Sequence, residues 1–215
     1  MATSKRSSKP SRRLPPSLPG KPRLQPLIER IDRLNHEDPN TEVVDGVSHP
    51  RELLYSMRLT DWVLRLAPDA SDALRIAARG QHIRRWTMPR ARYEMTRRGY
   101  LRWRETLKAF HADTVAGLMR EEGFPDAEIQ RVRTIMGKRA LPRDPETQTL
   151  EDALCLVFLE TQFADLRRKT ADDKMREILR KTWTKMSEQG RAAALRLPMR
   201  KEDQAFLRRA LAQSP

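Results

Sequence analysis

The sequence predicts an all-α fold: a single globular helical bundle preceded by a disordered basic tail. Three observations carry this reading. Leu, Ala, Arg, Glu and Met are frequent while glycine supplies only 8 of 215 residues, a balance that favours helix. Apolar residues recur three and four apart through most of the chain, the spacing of a helix face. No segment alternates as a strand would, and there is no Gly-rich phosphate loop or internal repeat.

The elements follow in order. Residues 1–25 are a basic Ser/Pro-rich tail, disordered over 1–23 because it holds almost nothing to bury. Order begins near Pro26, and residues 26–200 form the domain, with 201–215 a C-terminal helix or tail. Leu27, Ile31 and Leu34 give the first helix its apolar face, and the turn-rich run from Asn35 to Asn40 stops it. Asp45-Gly46 is a turn signal. Pro50 suits the first position of a second helix, whose wide apolar face includes Leu53, Leu54, Trp62 and Val63. After Pro68 to Ser71, a third helix spans about Leu74 to Trp86, and Pro89 blocks it. Residues 87–98 read as an arginine-rich loop. A long helix follows Gly99 and ends at Gly123, and another starts at Pro125-Asp126. Beyond Pro142 and Pro145, Thr149 begins the most apolar helix in the chain. Helices from about Asp173 to Lys185 and after Pro198 complete it.

Composition narrows the function classes. No apolar run approaches the roughly 20 residues of a membrane span, and no secretory signal is visible. The single cysteine, Cys155, cannot form an internal disulfide, so a cytoplasmic location is expected. The net charge is +14, and half of it lies in residues 1–26, which carry seven Lys and Arg and no acid. That tail is expected to solubilise the chain or to touch nucleic acid.

The functional lead is polar chemistry inside apolar helices. Burying a histidine or carboxylate costs several kcal/mol unless it is paired or binds a metal. Leu74, Ala78, His82 and Trp86 lie four apart, which places His82 on an inward stripe. Trp103, Leu107, His111 and Leu118 repeat the argument for His111. Each histidine also has a plain reading, a core imidazole satisfied by one acceptor. Glu151 and Asp152 head the apolar run from Ala153 to Leu159, with Glu160 at its end. For Asp152 the plain reading is a capping box with Thr149 as the cap. Between Arg84 and Arg104, arginines alternate with Trp86, Tyr93, Tyr100 and Trp103, a mixture suited to phosphate groups and to base stacking.

The order His49, His82, His111, Asp152 loosely resembles the HD-type metal-dependent phosphohydrolases, helical bundles that hold a metal on histidines and carboxylates. The resemblance departs at the defining pair, which is His82-Ile83 here. A closer likeness covers residues 26 to 199 and is carried by Glu52-Leu53-Leu54-Tyr55, Gln81-His82-Ile83, Arg85-Trp86, Gly99-Tyr100-Leu101, Phe110-His111-Ala112, Leu150-Glu151-Asp152 and Val157-Phe158-Leu159-Glu160. On these the chain resembles the family known only as domain of unknown function 4202. The resemblance implies that the His82, His111 and Glu151-Asp152 motifs belong together. Lys185-Met186-Ser187 resembles part of the signature loop of glutamyl-tRNA synthetase, but the nucleotide-binding α/β domain that loop serves is missing.

The expectation is therefore hydrolysis of a phosphate-containing substrate in a His/carboxylate/Arg pocket, with a divalent metal as the candidate cofactor and a degenerate, metal-free relative as the alternative. His82, His111, Glu151 and Asp152 are the expected catalytic groups, and His82, His111 and Asp152 the metal ligands. Arg85, Arg90 and Arg104 would hold the anion, with Gln81, Trp86, Tyr93 and Tyr100 completing the pocket. Two alternatives stand beside it. One is a non-catalytic nucleotide or nucleic-acid binder using the Arg84–Arg104 surface and the tail. The other is a helical adaptor whose polar core is structural.

Overall fold

The computed structural model describes residues 23–212, and the tail expected to be disordered over 1–23 lies almost wholly outside them. The fold is all-α. Ten α-helices run through the described residues: α1 (Leu24–His36), α2 (Arg51–Leu66), α3 (Asp72–Gly80), α4 (Arg97–Glu121), α5 (Asp126–Gly137), α6 (Pro145–Thr161), α7 (Phe163–Arg168), α8 (Asp172–Trp183), α9 (Glu188–Leu195) and α10 (Lys201–Ala212). No helix among the described residues is long and apolar enough to cross a membrane.

Helix α6 runs through the centre because it is apolar nearly all round: Leu150, Ala153, Leu156, Val157 and Leu159 are all buried. Each large side chain there contributes about 1.5–3 kcal/mol of burial. Around it pack α2, α3, α5, α7 and α9, while α4 lies on α5 and α10 on α8. Phe206, Leu207 and Ala210 of α10 join the core, so this helix is part of the packed body. Arg79 clasps Asp32 with two 2.6 Å hydrogen bonds, tying α3 to α1.

Four local expectations need correction. Helix α1 begins at Leu24, not Pro26; its third residue is that proline, which the first turn tolerates. Residues 41–50 are not strand-free. Strands β1 (Thr41–Val44) and β2 (Val47–Pro50) form an antiparallel hairpin, with Glu42 opposite His49. Asp45 and Gly46 take φ of 51° and 81°, the left-handed pair a two-residue hairpin turn needs. The strands bury no face, and Val43 and Val47 are exposed, so no alternation marks them. Pro50 consequently ends β2 and caps α2 rather than opening it.

Helix α3 stops at Gly80, six residues before Trp86. Residues 81–92 continue as tight turns with short 3-10 segments at Arg85–Thr87 and Arg90–Arg92. Arg84 sits in the left-handed region (φ 50°), and its N–H donates at 3.1 Å to Oδ1 of Asn35, a fully buried residue in the last turn of α1. A long-range hydrogen bond thus breaks a helix whose apolar spacing runs on. Helix α6, finally, begins at Pro145, four residues before Thr149, whose hydroxyl donates back to Pro145 O at 2.9 Å. Asp152 is therefore mid-helix, and the capping-box reading fails.

Candidate functional site

The site is assembled from the end of α1, the start of α2, the 81–85 turn and the middle of α4. Asp38, just past α1, is buried and acts as a brace. Its Oδ1 accepts from the Asn40 backbone and side chain at 2.9 and 2.8 Å. Its Oδ2 accepts from the Glu52 N–H at 3.0 Å, holding the first turn of α2. Glu52 itself is only 8% exposed. Its Oε2 lies 3.1 Å from His82 Nδ1 and its Oε1 3.9 Å from Arg85 Nε. Tyr55, one turn along α2, stacks on His82 at 4.1 Å with the rings 10° apart.

The second histidine stands behind the first. The His111 ring centroid is 5.9 Å from that of His82, and His111 Nδ1 is 2.9 Å from Ile83 O. A carbonyl only accepts, so Nδ1 carries the proton and Nε2 keeps its lone pair. That Nε2 is buried and has no hydrogen-bond partner among the described residues. Arg85 rests over the Trp103 ring at 5.0 Å, and Trp103 is anchored by its Nε1–H to Met88 O at 3.0 Å.

These surroundings move the proton affinities in opposite directions. Burial pushes the Glu52 carboxyl up to about 7, the nearby Asp38 adds to the rise, and Arg85 and Arg51 oppose it. His82 is drawn well below its ordinary value by burial and then by the charges of Arg85, Arg104 and Lys138. Burial and His82 bring His111 down to about 3. Burial also raises the Tyr55 phenol, so it stays protonated. Near neutral pH the two imidazoles are uncharged and the Glu52–His82 pair gains or loses one proton. That pair faces a cavity of about 650 Å³ whose walls also carry Arg51, Arg58, Arg85 and Glu42. Arg58 and Glu42 pair at 2.7 Å.

The expected site residues divide. His82, His111 and Arg85 come together, with the buried Gln81 beside them on the same turn. Arg104 is exposed, but its charge reaches both histidines. Trp86 is half-buried on the turn. Glu151 is buried against Lys138, with Lys185 Nζ 3.8 Å from its other oxygen. Asp152 points elsewhere. Its Oδ1 accepts from Ser187 N–H at 2.8 Å and Gln148 Nε2 at 3.0 Å, and its Oδ2 from the Ser187 hydroxyl. It anchors the start of α9, and Gly190 lies so close that a Cβ there would sit 2.6 Å from Asp152 Cγ. Consecutive helix residues diverge by about 100°, so Glu151 and Asp152 serve different neighbours. Ser187, the end of the Lys185-Met186-Ser187 tripeptide, is the cap of α9 and nothing of a signature loop.

Several assignments need correction. The set His82, His111, Asp152 is not assembled as a metal site: among the described residues no three His, Cys, Asp or Glu side chains converge. Nor does Asp152 have a free oxygen to contribute as a catalytic group, since both serve α9. Arg90 spends its guanidinium on the carbonyls of Tyr93 and Thr96, at 2.8 and 3.2 Å, and so organises its own loop. Tyr93 lines a separate groove, and Tyr100 is exposed against Trp103.

Glu52, Tyr55 and Asp38 are the residues that local reasoning missed. An acid in the first turn of a helix ordinarily reads as a surface group favoured by the helix dipole. Two signals were present: the Glu52-Leu53-Leu54-Tyr55 motif of the family likeness, and the three-residue spacing of Glu52 and Tyr55, which puts both on one face.

Comparison with curated proteins and comparison with solved structures each find no match. A family model does match, over residues 25–207, and it includes every segment that builds the site, from the end of α1 to the middle of α4. The chain belongs to the family described as Domain of unknown function (DUF4202).

Proposed function

We propose that the cavity beside α2 is the active site of a hydrolase for a phosphate-bearing small molecule. The observation that carries this is Glu52: a buried carboxyl with its affinity raised to about 7, bonded to His82 and facing the cavity. A group that titrates near the working pH is the best proton carrier there. The Glu52–His82 pair takes a proton from an attacking water, and the water oxygen bonds to phosphorus as the ester oxygen leaves. The proton then passes to the leaving group. Asp38 and Tyr55 are positioning residues, one holding the Glu52 backbone at the start of α2 and the other the imidazole plane. Arg51, Arg58 and Arg85 supply the cations for the phosphate oxygens, and Arg58 exchanges Glu42 for the substrate. A cytoplasmic setting goes with this reading, since Cys155 is a free, buried thiol.

The test is a ligand panel on the purified chain. Inorganic phosphate, sugar phosphates and nucleoside mono- and diphosphates are added at millimolar concentration in a thermal-denaturation assay. A true ligand at 100 times its Kd stabilises by about 2.7 kcal/mol. Phosphate release from the stabilising ester, with and without Mg²⁺ or Mn²⁺, should be lost in Glu52→Gln. If no phosphate compound raises the melting temperature, the reading is wrong.

A further inference from the structure

Outside the pocket, the strongest feature of the molecule is its charge distribution. Residues 84–104 contain eight arginines and no lysine, against the single carboxylate of Glu94. That segment is one tenth of the chain and carries half of its net charge of +14. Half of these arginines have partners within the protein, Arg92 donating to Thr87 O at 3.1 Å and Arg84 lying 4.0 Å from Glu37. Arg90 is committed to carbonyls and Arg85 to Trp103. The guanidinium groups of Arg97, Arg98, Arg102 and Arg104 make no hydrogen bond or ion pair among the described residues.

Their placement opposes local stability. Arg97 and Arg98 occupy the first turn of α4, which holds no acid, so they face the positive end of the helix dipole. Like charge there opposes the helix, and a bound anion would relieve it. Arg98, Arg102 and Thr106 follow one another at four-residue spacing. With Arg92, Tyr93 and Glu94 they line a groove of about 650 Å³. Tyr100 lies about 200° round the helix from Arg98, on the flank it shares with Arg97 and Arg104, so the exposed N-terminal half of α4 carries arginines on both sides and a tyrosine ring on one. Tyr100 is 46% exposed, and its ring centroid lies 5.9 Å from that of Trp103. Leu101 is 54% exposed and Met95 81%.

We infer that the N-terminal half of α4 and the 90–96 loop form a binding surface for single-stranded nucleic acid. Arginine forks bind phosphate oxygens through two hydrogen bonds, which lysine does not match. Tyr93 and Tyr100 offer faces on which unpaired bases stack. A lipid headgroup would share the phosphate but not the stacking, and the two tyrosines decide in favour of the nucleic acid. The surface is separate from the Glu52–His82 cavity, whose walls contain none of Arg92, Arg98 and Arg102.

The test uses the full chain, so that the tail contributes equally to every sample. Binding to a short fluorescein-labelled poly(U) RNA is followed by anisotropy over a range of salt. Arg98→Ala with Arg102→Ala removes two phosphate contacts, and the slope of log K against log salt should fall by about 1.4, at roughly 0.7 per contact. Tyr100→Ala should weaken binding about tenfold with the slope unchanged, as loss of one stacked base does. All three side chains are on the surface, and unchanged melting temperatures confirm intact folding. Failure of the wild-type chain to bind poly(U) at low salt overturns the proposal. So does an unchanged slope and affinity in the double variant, which assigns all binding to other cations. Loss of sedimentation with phosphatidylserine vesicles, with RNA binding intact, would make the surface lipid-facing and equally defeat it.

Discussion

Replacing Glu52 with glutamine removes one titration and leaves its shape, so it isolates what burial does to this carboxyl. In the folded chain Glu52 holds its proton up to about 7, whereas in the unfolded chain it releases it near 4.5. The folded state therefore binds more protons between these values, and the stability that comes from the raised affinity is full below pH 4.5 and lost by about pH 7. At 1.36 kcal/mol per unit, the loss is about 3 kcal/mol. The side chain is only 10% exposed, so solvent screening takes little from this figure. Glutamine does not titrate. The stability of Glu52→Gln relative to the parent should thus rise by about 3 kcal/mol from pH 4.5 to 7 and level off above. His82 and His111 titrate in both proteins and largely cancel. Urea unfolding at half-unit intervals of pH, extrapolated to water, measures the difference directly. A difference that stays constant with pH would refute the reasoning. It would mean that Arg85 and His82 fully offset the burial, and that Glu52 is an ordinary ion-paired carboxylate with no proton to give near neutrality.

Two further outcomes follow from the same geometry. Asp152→Ala removes three hydrogen bonds to a buried carboxylate and unties Ser187, the cap of α9, so it should cost about 3 kcal/mol or more in thermal denaturation while leaving the Glu52–His82 pair in place; a loss below 1 kcal/mol would contradict the anchoring role. His82 and His111 stay neutral in the fold, so the stability they supply is complete above pH 6.5 and declines as the pH falls below it. His111→Gln should flatten that decline by about 1.4 kcal/mol per pH unit, and an unaltered slope would show that His111 protonates freely in the folded chain.

Local chemistry alone determined a good deal here. The helices, the α6 run through the core and the buried position of His111 all follow from spacing, because an inward stripe is a property of a dozen neighbouring residues. The likeness that joined the His82 and His111 motifs holds in space for that pair, whose rings lie 5.9 Å apart. What spacing does not contain is any partner far along the chain. Glu52 meets His82 across 30 residues, and Asp152 meets Ser187 across 35. Neither bond leaves a periodic trace, so spacing gives Glu52 no role and makes Asp152 a metal ligand. The end of α3 has the same origin: the apolar spacing continues to Trp86, but Asn35 captures the Arg84 backbone and turns His82 out of the helix toward Glu52. A buried polar group announces from sequence that it needs a partner. Which partner it finds is decided when the helices pack, since only then are the distances set that make one hydrogen bond possible and another not.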